Sequence, residues 1–299
     1  MELPANLIQV EWSFFQRSLF RFAALVVPKF CHNFFQFEVS GLENTSDLPE
    51  GKPVIFCGNH RSHLDGLLLG SAIIKPYGNR TRLGFMASGK AMDGNVFFGL
   101  LRVLGAFPVY RENPNLALDY AVRLLKKGLG VLIAPQGKRI FSHPLHDYFN
   151  LLKEGRTGVG RVILKLNGKV PIVPFYCHGA AEALGIGRIV PKYKAFVSVS
   201  FGKPLYFDDY SQNGGWDDSK PEFYETSREI VNKVMISIRN LLVLQEQHYF
   251  NIIKKKFRVK ELEDIIIPTG SRKTSLNKFL YNLLHYHPRD LQRLAERSK

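Results

Sequence analysis

The sequence predicts an α/β protein: a largely parallel central sheet flanked by helices, with an N-terminal amphipathic helix pair and a basic C-terminal helical extension. From Phe37 onward, short runs rich in β-branched and aromatic residues alternate with longer runs at helical spacing. Loops bearing glycine or charge follow the apolar runs, as they do at the carboxyl ends of strands in a parallel sheet. With 299 residues, 45% of them hydrophobic, the chain is long enough to bury a full core.

At the N-terminus, residues 7–35 are dense in Phe and Leu. Ile8, Trp12, Phe15, Leu19, Phe22 and Val26 recur at three- and four-residue steps, and Arg17 and Arg21 share another stripe. Such a helix either lies in a membrane interface, apolar side down, or packs on its own domain. Pro28 is expected to divide it in two. No run of 18 apolar residues occurs, so a spanning helix is not expected. Glu2 and Glu11 give the start the wrong charge for a secretory leader.

Residues 54–57 read as a buried strand, 65–74 as a helix, and 83–87 and 107–110 as strands. Residues 115–127 place Leu116, Tyr120 and Leu124 at helical spacing, and Gly128 stops that helix. A strand at 131–134, a helix at 158–166, strands at 170–175 and 194–201, and a long helix at 221–247 follow. The chain therefore divides into interface helices (1–36), an α/β domain (37–247) and a basic extension (248–299).

Lys and Arg total 41 against 26 Asp and Glu, a formal charge of +15, which points to a polyanionic partner. Residues 251–299 hold twelve of the basic residues and five of the acids. Within them the run from Lys254 to Lys260 is polybasic with apolar residues interleaved, and near an anionic bilayer each such cation contributes about 1 kcal/mol. No nucleic-acid motif accompanies the charge, so an anionic membrane surface is the expected partner and nucleic acid is not. Three scattered cysteines exclude a disulfide framework or a Cys-built zinc site and suit a reducing compartment.

The run from Gly58 to Asp65 follows a buried strand directly, where α/β domains place catalysts. His60 and Asp65 are five residues apart; within one helix they would diverge by roughly 140°. If the chain turns at Ser62–His63 before the helix begins, Asp65 folds back onto His60. The pair is then a base with its orienting carboxylate. With no Ser or Cys nucleophile beside it, the histidine suits a substrate hydroxyl attacking an acyl carbon. His60, His63 and Asp65 are near metallohydrolase spacing, but Gly66 stands where a further histidine would be, so no metal is expected. Cys57 ends a buried strand and no Gly-x-Ser-x-Gly elbow occurs, which argues against a covalent intermediate. Gly84 to Lys90 matches the start of a phosphate loop, but Ala91 supplies no hydroxyl for Mg²⁺.

Three more runs extend the pattern: Gly105 to Arg111, Pro135 to Arg139, and the rigid strand at 170–175. In this order and spacing they resemble the glycerophospholipid acyltransferase family. Its Asn-His-x4-Asp hallmark is matched by Asn59, His60 and Asp65, and its Gly-x5-Arg block by Gly105 and Arg111. Its Phe-Pro-Glu-Gly-Thr-Arg-Ser block survives in part as Pro135, Gly137 and Arg139. Residues 170–175 match the proline-containing block, and Lys153 to Gly155 and Phe201 to Pro204 are also family-like, so the likeness covers about 37–210.

The resemblance implies that His60, oriented by Asp65, deprotonates an acceptor hydroxyl that attacks an acyl thioester on coenzyme A or acyl carrier protein. It implies a lysophospholipid acceptor such as 1-acyl-glycerol 3-phosphate, bound by Asn59, Arg111, Gln136, Gly137, Lys138 and Arg139. No cofactor beyond the donor substrate is implied, and the protein is expected to sit peripherally or monotopically on the cytoplasmic membrane face. The sequence departs from the family pattern where Gln136 replaces Glu, Lys138 replaces Thr and Ile140 replaces Ser. The acceptor site is thereby about two charges more positive, which leaves open a more anionic acceptor or a catalytically inactive lipid-binding member of the same fold. A metal-dependent hydrolase is the remaining alternative.

Overall fold

A computed structural model of the chain describes residues 14–46, 48, 52–77, 83–94, 102, 105–110, 112–137, 155–184 and 190–257. Along these residues run α1 (Phe14–Phe34), β1 (Gln36–Ser40), β2 (Ile55–Gly58), α2 (Asp65–Tyr77), β3 (Leu83–Ser88), α3 (Gly89–Gly94) and β4 (Ala106–Val109). They continue with α4 (Pro114–Lys126), β5 (Gly130–Ile133), α5 (Gly158–Lys165), β6 (Ile172–His178), α6 (Ala180–Ala183), β7 (Phe196–Phe201) and α7 (Pro221–Phe257).

The strands form one seven-stranded sheet in the order β1-β7-β6-β2-β5-β3-β4. All neighbouring pairs are parallel except β6 with β7. From β2 the chain moves outward to β3 and β4, returns to insert β5 beside β2, and then crosses to the other side of β2 with β6. β2 thus lies where the strand order reverses, the position at whose carboxyl end open α/β sheets generally bind ligands.

Residues along β2 and β6 alternate between two helical layers. Ile55, Cys57 and Tyr176 face a core built with Leu125 of α4, Val162 and Ile163 of α5, and Val231 and Val234 of α7. Phe56, Val173, Phe175 and Cys177 face Cys31 of α1 and Leu68, Leu69 and Ile73 of α2. Both strands are buried at every position, which is why they read as unbroken apolar runs. α4 buries Ala117, Leu118, Ala121, Val122, Leu124 and Leu125 along one stripe, and Pro114 sits in its first turn, where a missing N–H costs nothing.

Several expectations change here. Pro28 does not divide α1, which runs unbroken through it. The proline deprives the carbonyl of Ala24 of its helical donor, a cost of about 3 kcal/mol in a helix interior. Packing offsets it: Cys31 is buried in the layer that includes Leu68, Leu69 and Ile73 of α2, Val27 and Phe34 pack against that layer, and Ser71 Oγ donates to Cys31 Sγ at 3.1 Å. Within the described residues the N-terminal segment is therefore one helix, and residues 1–13 lie outside them. β1, an edge strand exposed at alternate residues, adds to the elements expected from the sequence; it pairs in parallel with β7. α7 continues without a break past residue 247, where the basic extension was expected to begin, and residues 258–299 lie outside the described residues.

Candidate active site

The loop from β2 to α2 turns back on itself before the helix starts. Asp65 opens α2, and its Oδ2 accepts three hydrogen bonds, from Arg61 N at 2.7 Å, Ser62 N at 2.8 Å and His60 Nδ1 at 2.9 Å. Two of these partners are backbone N–H groups, which only donate, so Oδ2 is an acceptor and Nδ1 carries the ring's proton toward it. The other ring nitrogen, Nε2, is left as the basic one. The carboxylate is nearly closed off, at 4% exposed, whereas the imidazole is 36% exposed and reachable by a ligand. The turn that makes this possible is tied by Ser62, whose Oγ accepts from Leu64 N and donates to Leu184 O.

The structure therefore brings His60 and Asp65 together. Asn59 has a different place from the substrate contact expected of it. It is buried, and its amide donates to Cys177 O at 2.8 Å and accepts from Cys177 N at 2.7 Å. It fastens the loop to β6. Arg61 adds a second tie, with its guanidinium 3.2 Å from Glu182 Oε1 and both side chains largely buried. Glu182 and the Cys177 backbone had no signal near the motif, because each meets it only through the sheet.

Gln136 and Gly137 follow β5, which pairs with β2 through Ile133 and Cys57, so their turn emerges beside the His60 loop. Both polar atoms of the Gln136 amide are buried with no hydrogen-bond partner among the described residues. Arg111, Lys138 and Arg139 lie outside the described residues.

No thiol competes as a nucleophile. Burial pushes the Cys57 thiol far above its ordinary range. Burial and then the nearby Asp65 carboxylate do the same at Cys177. A thiolate is the reactive form, so such groups are inert. All three cysteines are buried, and they should resist iodoacetamide in the native protein and react only on denaturation. Rapid native labelling, read by intact mass, would contradict this burial. Among the described residues, no group of three or more His, Cys, Asp or Glu side chains could hold a metal ion, and no helix is long and apolar enough to cross a membrane.

A histidine backed by a closed-off carboxylate at a strand end of an α/β sheet lies inside the segment, residues 36–178, that matches the acyltransferase family model. The class of protein this segment is similar to is the acyltransferases. The 1-acyl-sn-glycerol-3-phosphate acyltransferase of Bacillus subtilis is 26% identical over 189 residues, 61% of this chain and 84% of that protein. The probable 1-acyl-sn-glycerol-3-phosphate acyltransferase of Mycoplasma genitalium is 30% identical over 163 residues, 52% of this chain and 56% of that protein. The crystal structure of the 1-acyl-sn-glycerophosphate acyltransferase from Thermotoga maritima matches with a TM-score of 0.49 and 18% identity, covering 75% of this chain and 81% of that one. Residues 36–178 are thus similar to the acyltransferase family, and the relatives named are glycerophospholipid acyltransferases.

Proposed function

We propose that the protein transfers an acyl chain from a thioester, on coenzyme A or acyl carrier protein, to the free hydroxyl of a lysophospholipid such as 1-acyl-glycerol 3-phosphate. The observation that carries the reading is the set of three donors on Asp65 Oδ2, which fixes His60 with Nε2 as its basic nitrogen. As the acceptor oxygen bonds to the thioester carbonyl carbon, its proton passes to Nε2. The tetrahedral adduct collapses by breaking the carbon–sulfur bond, and the departing thiolate takes a proton back from the imidazolium. A thiol pKa near 8.5 makes this a ready leaving group, so no separate acid is needed. The donor is a substrate, and no resident cofactor or metal has a part in the scheme. Arg111, Lys138 and Arg139 are assigned to the acceptor's phosphate as guanidinium and ammonium partners.

We assign the chain to the surface of an anionic membrane, on the cytoplasmic face. The face of α1 turned away from α2 leaves Phe22 at 62%, Leu25 at 67% and Phe30 at 41% exposed. Such a helix lays its apolar side into the interface rather than across it. The double substitution Phe22→Glu and Leu25→Glu should weaken binding to anionic phospholipid vesicles by at least about tenfold, since burying each side chain contributes about 1.5–3 kcal/mol. Unchanged co-sedimentation would remove α1 from the contact.

The function is tested by supplying purified protein with acyl-CoA or acyl carrier protein thioester and lysophosphatidic acid, and following thiol release with phosphatidic acid formation. Retained lysolipid binding without any transfer would overturn the reading in favour of an inactive lipid-binding member.

A further inference from the structure

Arg156 stands outside every motif, yet it is held against the turn that follows β5. Its N–H donates to Pro135 O at 2.8 Å. Its side chain lies over Gly137: a Cβ there would stand 2.6 Å from Arg156 Cδ and 2.9 Å from its Nε. Gly137 also has φ +68°, a left-handed conformation that favours glycine, and the arginine side chain lies across the space above it. Gly155, just before, is pressed between Val231 and Pro135, where a Cβ would come within 2.5 Å of the valine. The backbone that carries Arg156 is therefore held against this turn.

The arginine is exposed and has no acidic partner among the described residues. Beside it, position 136 carries an amide rather than a carboxylate, so the turn itself offers no charge to neutralise the guanidinium. The Gln136 amide is likewise buried without a partner among the described residues. The turn that carries Gln136, and to which the Arg156 N–H is bonded, follows the end of β5 that pairs with β2, the strand leading into the His60 loop.

We propose that Arg156 is a specificity-determining residue that binds the phosphate monoester of the acceptor, with the Gln136 amide hydrogen-bonding the polar head beside it. The proposal rests on the acyl-transfer reading and names a cation that no motif supplies. Position 136 acts by omission: a glutamate there would pair with the guanidinium and compete with the ligand's oxyanion. The fork of Arg156 fits two phosphate oxygens at once, which a lysine would not.

Arg156→Ala and Arg156→Lys in the full chain test this, with melting temperature as the check on folding. Glycerol 3-phosphate, the soluble probe, is titrated calorimetrically. KM is measured for lysophosphatidic acid and for uncharged monoacylglycerol. Arg156→Ala should weaken glycerol 3-phosphate binding about tenfold or more, and should raise KM for lysophosphatidic acid about tenfold more than for monoacylglycerol. Arg156→Lys should recover part of both. Affinity and the KM ratio both within about twofold of wild type would overturn the proposal while leaving acyl transfer intact. A wild-type protein that binds glycerol 3-phosphate through Arg156 yet acylates nothing would overturn the acyl-transfer reading and leave the phosphate site standing. Loss of lysophosphatidic acid use alone, with glycerol 3-phosphate binding unaffected, would tie Arg156 to the lipid rather than to the phosphate and would also overturn it.

Discussion

His60→Ala should lower kcat for acyl transfer by about 10²–10⁴-fold, with acceptor KM changed far less, because it removes the proton acceptor and leaves the binding groups in place. Activity at the wild-type level in that variant would sink the mechanism. Asp65→Ala should approach the same loss, since it frees the imidazole to rotate and to take the wrong tautomer. Asp65→Asn should be milder, about 10–10²-fold. The reason is local: the N–H groups of Arg61 and Ser62 both point at the Oδ2 position. They would hold the amide oxygen there, where it still accepts from Nδ1, so the tautomer survives and only the charge opposing the imidazolium is lost. The ranking of the three variants in single-turnover assays checks this: an asparagine variant as weak as the alanine variant would mean that the two backbone donors do not select the amide oxygen.

Gly160→Ala should destabilise the fold by about 3 kcal/mol or more and lower the melting temperature by roughly 6–12 °C. Helix propensity argues for the opposite sign, since alanine is favoured over glycine by about 1 kcal/mol in a helix interior. Packing decides the matter. A Cβ on Gly160 would stand 2.1 Å from Ser227 O and 2.7 Å from Ser227 Cα, so α5 meets the backbone of α7 here with no side chain between them. Ser227 has no room to retreat, being fully buried with its Oγ donating to Phe223 O. A melting temperature that rises in Gly160→Ala would show that the two helices can separate freely.

What was legible in the sequence follows from how local the determining physics is. β2 and β5 were readable because burial on both faces leaves unbroken apolar runs. β1 was not, because Gln36, Glu38 and Ser40 are exposed and make so short a strand resemble a polar connection. Pro28 misled because a rule about one missing N–H says nothing of the surface α1 buries on α2. The antiparallel pairing of β7 with β6 had no local mark at all. In the site, the His60–Asp65 meeting was readable because both residues lie in one turn. The roles of Asn59, Glu182 and Arg156 were not, because their partners are distant along the chain or sit across a neighbouring turn.

The pair of hydrogen bonds between Asn59 and Cys177 joins residues 118 positions apart. During synthesis, at about 5–20 residues per second, roughly 6–24 s separate the appearance of the histidine loop from that of the strand that fixes it. Once β5 has been made, β2 has that neighbour on one side and still lacks β6 on the other, so one of its edges waits unpaired. Fixing of the histidine loop on β6 is therefore a late event in the life of the nascent chain, with the acyl-transfer motif translated well before the scaffold that holds it. A substitution that slows the docking of β6 would reduce the yield of competent protein without touching any residue near the substrate.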